Sequence, residues 1–176
     1  MKSKALLLNI FNRSSVSFFQ IVDEKVKDAD IATMNSLFNL VYTSKASRKI
    51  NKEFIDDILH VSRKNNKRDQ ITGLLVARED YFMQLLEGDE VKVKACFERI
   101  KADRRHSQIV LQGKCEAAGR IMPQWNMAQL KYQDRKGDSS DLVALFEAGR
   151  HGETYSEIRS LESILRIFSK NAEIIN

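Results

Sequence analysis

Ile71-Thr72-Gly73-Leu74-Leu75-Val76-Ala77 and Tyr81-Phe82-Met83-Gln84-Leu85-Leu86-Glu87 are two largely apolar runs set on either side of Arg78-Glu79-Asp80. Runs of this length, broken by a short charged cluster, read as two strands joined by a hairpin turn. Working upstream, Leu37–Ser44 sets Phe38, Leu40 and Tyr42 against Asn39, Val41 and Thr43, the period of a half-buried strand. Between that strand and the hairpin, Asn51 offers an N-cap, and Phe54, Ile55, Ile58, Leu59 and Ser62 follow at helical spacing. The helix is expected to run out near Asn65-Asn66, residues of poor helix propensity.

Working downstream, Val91, Ala95, Phe97 and Ile100 among charged neighbours predict a second amphipathic helix. A strand from Gln108–Gln112 onward and a fifth over Trp125–Tyr132 complete the organised part. The order is β-α-β-β-α-β with one added strand. This is an α+β, ferredoxin-like arrangement with both helices on one face of an antiparallel-rich sheet. Such a frame hosts many unrelated activities, so function must come from particular residues.

Three divisions are expected: an extension over 1–34, the organised domain over 35–132, and a helical segment over 133–176. In the extension, Leu6–Phe11 and Val16–Val22 fit either short strands or one amphipathic helix. In the last segment, Leu142, Val143, Leu145 and Phe146 predict one helix. Ile158, Leu161, Leu165 and Phe168 predict a second, with an apolar stripe that must cover the free sheet face or another subunit.

The chain is 43% hydrophobic and 30% charged, with a formal net charge of +5, as an ordinary soluble globular protein is. No apolar run nears the roughly 20 residues that span a bilayer. The cations are interspersed with acids and lack interleaved aromatics, so neither a nucleic-acid nor a membrane partner is expected. Cys96 and Cys115 lie far apart, and His60, His106 and His151 are dispersed, so no metal site is expected. Both thiols are expected to be free and buried, in a reducing cytoplasm. The opening MKSKALLLNIFNRSS has a basic start and an apolar run, but Asn9 interrupts it and no cleavage site follows, so export is not expected.

Several segments together resemble a known family. Leu40-Val41-Tyr42-Thr43-Ser44-Lys45-Ala46 resembles the first strand of BLUF domains, sensors of blue light that use a flavin. Asn65-Asn66 with Ile71-Thr72-Gly73-Leu74-Leu75 resembles their first-helix exit and second strand. Phe82-Met83-Gln84-Leu85-Leu86-Glu87-Gly88 resembles their third and is the most specific piece. Ile100, Asp103, Arg105 and His106 are similar to the end of the second helix, and Arg120, Trp125 and Met127 to the last-strand motif. The resemblance covers Leu37 to about Tyr132 in order; Met122 departs from it, standing where the family usually has an aromatic residue.

The resemblance implies a flavin, FAD in most members and FMN or riboflavin as alternatives, lying between the two helices. Ile58 would supply one wall, Asn66 an amide partner for the ring's polar edge, and Asn65 a second contact. Arg105 and His106 would meet the ribityl-phosphate arm. Tyr42 would donate an electron and a proton, and Gln84 would rearrange to give a reversible red-shifted state. Trp125 and Met127, on one face of the last strand, would compete for the place beside Gln84, and Ser44 would bond near the switch. The resemblance also implies a sensor without catalytic activity of its own, a homo-oligomer, and an effector protein that the sequence does not name.

Two other functional classes make different demands on the sequence. A flavin-dependent oxidoreductase would need substrate or nicotinamide access, and no Gly-rich dinucleotide fingerprint is present. A flavin-free interaction module would have no need of Tyr42, Asn66 and Gln84 in register.

Overall fold

The structure, a computed structural model, describes residues 37–132, 140–154 and 172–175. The extension over 1–34 and the helix expected around Ile158–Phe168 lie outside the described residues. The elements are β1 (Leu37–Ala46), α1 (Lys52–Asp69), β2 (Thr72–Arg78), β3 (Tyr81–Asp89), α2 (Glu90–Lys101), β4 (His106–Ala117), β5 (Ala128–Tyr132), α3 (Ser140–Arg150) and β6 (Ala172–Ile175).

The strands form one sheet in the order β4-β1-β3-β2-β5-β6. The first four positions are the ferredoxin-like core, antiparallel throughout. Strand β5 is added parallel to β2, and β6 pairs antiparallel with β5. The last of these pairings was not expected from the sequence.

Local chemistry sets the element ends. Asn51 caps α1 through a bond from the Phe54 amide to its side chain, 2.9 Å. The helix does not stop at Asn65-Asn66 but continues to Asp69. Lys67 and Arg68 suit its C-terminal dipole, and left-handed Gln70 (φ 58°) turns its amide back onto the Asn66 and Lys67 carbonyls. Helix α2 follows β3 directly, capped by Asp89. It buries Val93 and Cys96 and half-buries Phe97 and Ile100, a stripe with steps of three and four. Val91 and Ala95, expected on that stripe, are exposed, because a helix beginning at Glu90 turns both away from the sheet.

Period-two alternation sends β1 residues to two apolar layers. Phe38, Leu40 and Tyr42 join Phe54, Ile58, Leu59, Phe82, Val93 and Cys96 beneath α1 and α2. Val41 joins Met83, Leu85, Leu74 and Val76 on the opposite face, where Leu145 and Phe146 of α3 close the layer. The free sheet face is therefore covered by the first of the two expected C-terminal helices. Its approach is close: a methyl group on Gly149 would sit 2.7 Å from Thr43 Cβ. Neither cysteine forms a disulfide; Cys96 is buried as expected, but Cys115, on the edge strand β4, is exposed.

Candidate functional site

The β1–β3 ladder places Tyr42 directly opposite Gln84, both facing the layer beneath α1 and α2. Opposed side chains on one face are within bonding reach. The Tyr42 hydroxyl donates to Gln84 Oε1. The Gln84 amide nitrogen in turn points at Met127 Sδ, 3.6 Å away. Both polar groups are buried, where an unbonded amide or hydroxyl would be costly. Burial, with smaller contributions from Cys96 and Asp103, raises the Tyr42 phenol well above its ordinary pKa, so it keeps its proton in the resting protein.

Gln84 also lines a cleft between α1 and α2. One wall comes from Ile58, Ser62, Asn65 and Asn66 of α1, the other from Cys96, Arg99 and Ile100 of α2, with Asp103, Arg105 and His106 at one end. The Asn66 amide donates to the Asn126 carbonyl at 2.7 Å, and its oxygen faces the Cys96 thiol at 3.8 Å. A primary amide has two N–H donors and a two-lone-pair oxygen, so Asn66 and Gln84 each keep capacity toward the cleft. Ile58 and Ile100 on facing walls, with a few fixed amides between them, suit a flat ring with a polar edge. The interior measures about 80 Å³, against ~300 Å³ or more for pockets that enclose such a molecule.

A larger groove, about 540 Å³, lies along another face of α1, by His60, Arg63, Lys64, Lys67 and Asn126. None of Tyr42, Gln84 and Met127 lines it.

The remaining sequence candidates fall as follows. Tyr42 stands behind Gln84 rather than in the cleft wall. Ser44, at 0% exposure, is held 2.9 Å from His106 Nδ1. Burial pulls the His106 pKa down to about 4, so the ring is neutral near pH 7. Arg105 is committed to Asp103 at 2.6–3.0 Å, which holds that carboxyl below the usual range. Helix α2 ends at Lys101, so Arg105 lies in the following loop and His106 opens β4.

Trp125 and Met127 do not share a face. The strand expected from Trp125 begins only at Ala128, and before it the Trp125 amide bonds the Met122 carbonyl in a turn. Without regular pleating, residues two apart need not point the same way. Met127 lies in the layer with Tyr42, while Trp125 packs on the opposite layer beside buried Met122.

Two positions went unread in the sequence. Glu87, fully buried on β3, accepts from the Ile121 and Met122 amides at 2.7 and 2.9 Å and from Thr72 at 3.1 Å. Burial raises its pKa, opposed by those bonds and by Arg120. A carboxylate inside an apolar strand was the available signal, since such a group needs partners. Arg63 donates to the Met127 carbonyl at 3.1 Å and had no signal beyond its place on α1.

No helix among the described residues is long and apolar enough to cross a membrane. No cluster among them fits a metal ion.

The chain is similar to known proteins. The photoactivated adenylate cyclase subunit alpha of Euglena gracilis is 30% identical over 93 residues, 52% of this chain and 9% of that protein. The blue light- and temperature-regulated antirepressor BluF of Escherichia coli (strain K12) is 32% identical over 74 residues, 42% of this chain and 18% of that one. The dark-state structure of BlrB, a BLUF protein, superposes with a TM-score of 0.62 at 25% identity, covering 78% of this chain and 98% of that one. The chain thus spans about a tenth of the cyclase subunit's length. The family model described as sensors of blue light using FAD matches residues 37–128, more than half of the chain, and the chain belongs to the BLUF family.

Proposed function

We propose that blue light resets the hydrogen bonds of Gln84, and that the chain passes this change to a partner or between its own subunits rather than catalysing a reaction. The observation that carries the reading is the buried chain Tyr42–Gln84–Met127 beside the cleft. A bound flavin supplies blue-light absorption and, once excited, a strong oxidant. Ile58 gives the ring an apolar wall, Asn66 and Asn65 offer amides to its polar edge, and Gln84 offers a third amide. FAD fits the family; FMN or riboflavin fits equally if the adenine end lies outside the cleft.

Tyr42 is the electron and proton donor of this scheme. Its phenol is protonated at rest, and its proton already points at Gln84. Gln84 is nearly symmetric in shape and opposite in polarity at its two ends. Exchanging those ends, by rotation or tautomerisation, presents a different pattern to the cleft, read as a small red shift without a covalent adduct. The change at Gln84 also alters its contact with Met127 and so reaches the segment leading into β5. Ser44 and His106 bond beside Tyr42, and Arg105 and His106, at one end of the cleft, would meet the ribityl-phosphate arm.

Residues 35–132 form the sensor in this reading, 133–176 the output and oligomerisation segment, and 1–34 an added extension. The cytoplasm is the expected compartment, and an effector protein the expected partner of a homo-oligomer. The test is a visible spectrum of the purified protein in darkness and after blue light. Flavin bands that move slightly red and recover in darkness support the reading. A protein that takes up no flavin would leave a ferredoxin-like interaction module, and bleaching without recovery would favour a flavin oxidoreductase.

A further inference from the structure

The segment 121–127 carries both Trp125 and Met127, and it is not held by sheet pairing. Its ladder with β2 starts only at Leu74 opposite Ala128. Glu87 takes its first two amides and the Gly73 amide takes the Trp125 carbonyl, and helix α1 takes the next two carbonyls. The Asn66 amide takes the Asn126 carbonyl, and Arg63, one turn earlier, takes the Met127 carbonyl through Nε. In a regular strand successive carbonyls point to opposite edges; here two successive ones are taken by a single helix.

Arg63 is suited to this task. It makes no ion pair among the described residues. A charged donor also forms a stronger bond than a neutral one. It borders the open groove beside His60, Lys64 and Lys67, so replacing it removes little from the core. On its other side, the residue whose carbonyl it holds places a sulfur 3.6 Å from the Gln84 amide.

We propose that Arg63 is a positioning residue of the light switch, clipping the Met127 backbone to α1 so that the Met127 side chain returns to Gln84. The proposal rests on the reading of Tyr42, Gln84 and Met127 as that switch. When Gln84 turns its N–H away from the sulfur, the side chain of Met127 loses its polar contact. The Arg63 bond then decides whether the backbone stays or follows. With the clip in place, the segment is poised for return; without it, return requires a search.

The experiment is dark recovery of the flavin spectrum in the full chain, wild type beside Arg63→Met and Arg63→Lys. Arg63→Met keeps length and loses the donor, and it should recover about tenfold more slowly, ~1.4 kcal/mol on the barrier. The red shift itself should keep its size, because the Tyr42–Gln84 bond is untouched. Arg63→Lys, which retains a cationic donor, should restore most of the rate. Amide exchange at Gly73, whose acceptor is the Trp125 carbonyl at 3.1 Å, should quicken in Arg63→Met. Recovery within twofold of wild type overturns the proposal, whether or not Gly73 exchange changes, since faster exchange alone would mark a purely structural contact. A wild-type protein with no reversible shift would instead overturn the switch reading and this proposal with it.

Discussion

The Tyr42 hydroxyl donates its hydrogen bond to Oε1 of Gln84, the residue directly across the β1–β3 ladder. Because register, not loop geometry, sets this pairing, it is rigid on both sides. Replacing Tyr42 with Phe removes the donor and little volume. Flavin binding should persist, since Tyr42 is not in the cleft wall. The reversible red shift should disappear, as read by difference spectra after blue light. A normal photocycle in Tyr42→Phe would remove Tyr42 from the scheme.

Gln84 invites a parallel experiment with a distinct outcome. Leucine at this position is close in size and fits the neighbouring apolar layer, but it can neither accept from Tyr42 nor donate toward Met127. Gln84→Leu should bind flavin, lack the red shift, and leave the Tyr42 hydroxyl without its partner. That orphaned group should lower unfolding free energy by about 1–3 kcal/mol, offset in part by the apolar gain. A retained shift would count against the amide as relay.

The sequence carried these two residues well because period-two alternation and a short hairpin leave little freedom in register. Asn51 as a cap and both helices on one face were legible for similar local reasons. What sequence could not carry depended on irregular backbone. Trp125 and Met127 are two apart, which implies one face only if the strand reaches them; the turn at Met122–Trp125 ends that logic. The extension of α1 past Asn66 was hidden because Asn66 spends its amide on a distant carbonyl rather than on ending its own helix. Val91 looked like core by composition, and only the start of α2 at Glu90 decided its exposure.

Glu87 supplies a stability prediction. Its carboxylate takes two backbone amides of the β4–β5 connection and the Thr72 hydroxyl, while Arg120 binds Thr72, the Glu87 carbonyl at 2.8 Å and the Gln70 carbonyl at 2.6 Å. Glu87→Ala strands the Ile121 and Met122 amides in a buried place and should cost about 3 kcal/mol or more in urea unfolding. Glu87→Gln keeps one acceptor oxygen and should lose less. Equal stability of the alanine variant would mean that water replaces the carboxylate.

His106 supplies a pH prediction with a definite sign. Burial holds the folded ring at a pKa of about 4, against an ordinary 6.5. As pH falls through 6.5 the unfolded ring takes a proton while the folded one stays neutral. The unfolded state then binds more protons, and stability drops. The contribution is fully present above pH 6.5 and is lost progressively down to about pH 4. Other groups titrate nearby: burial raises Glu87, which acts in the opposite sense, and arginines hold Asp69 and Asp103 low. A comparison of His106→Gln with wild type cancels those shared contributions. Between pH 7 and pH 5 the wild type should lose about 2 kcal/mol more unfolding free energy than the variant. Parallel curves would mean that the folded ring accepts its proton as readily as the unfolded one, and that the contact with Ser44 holds an imidazolium.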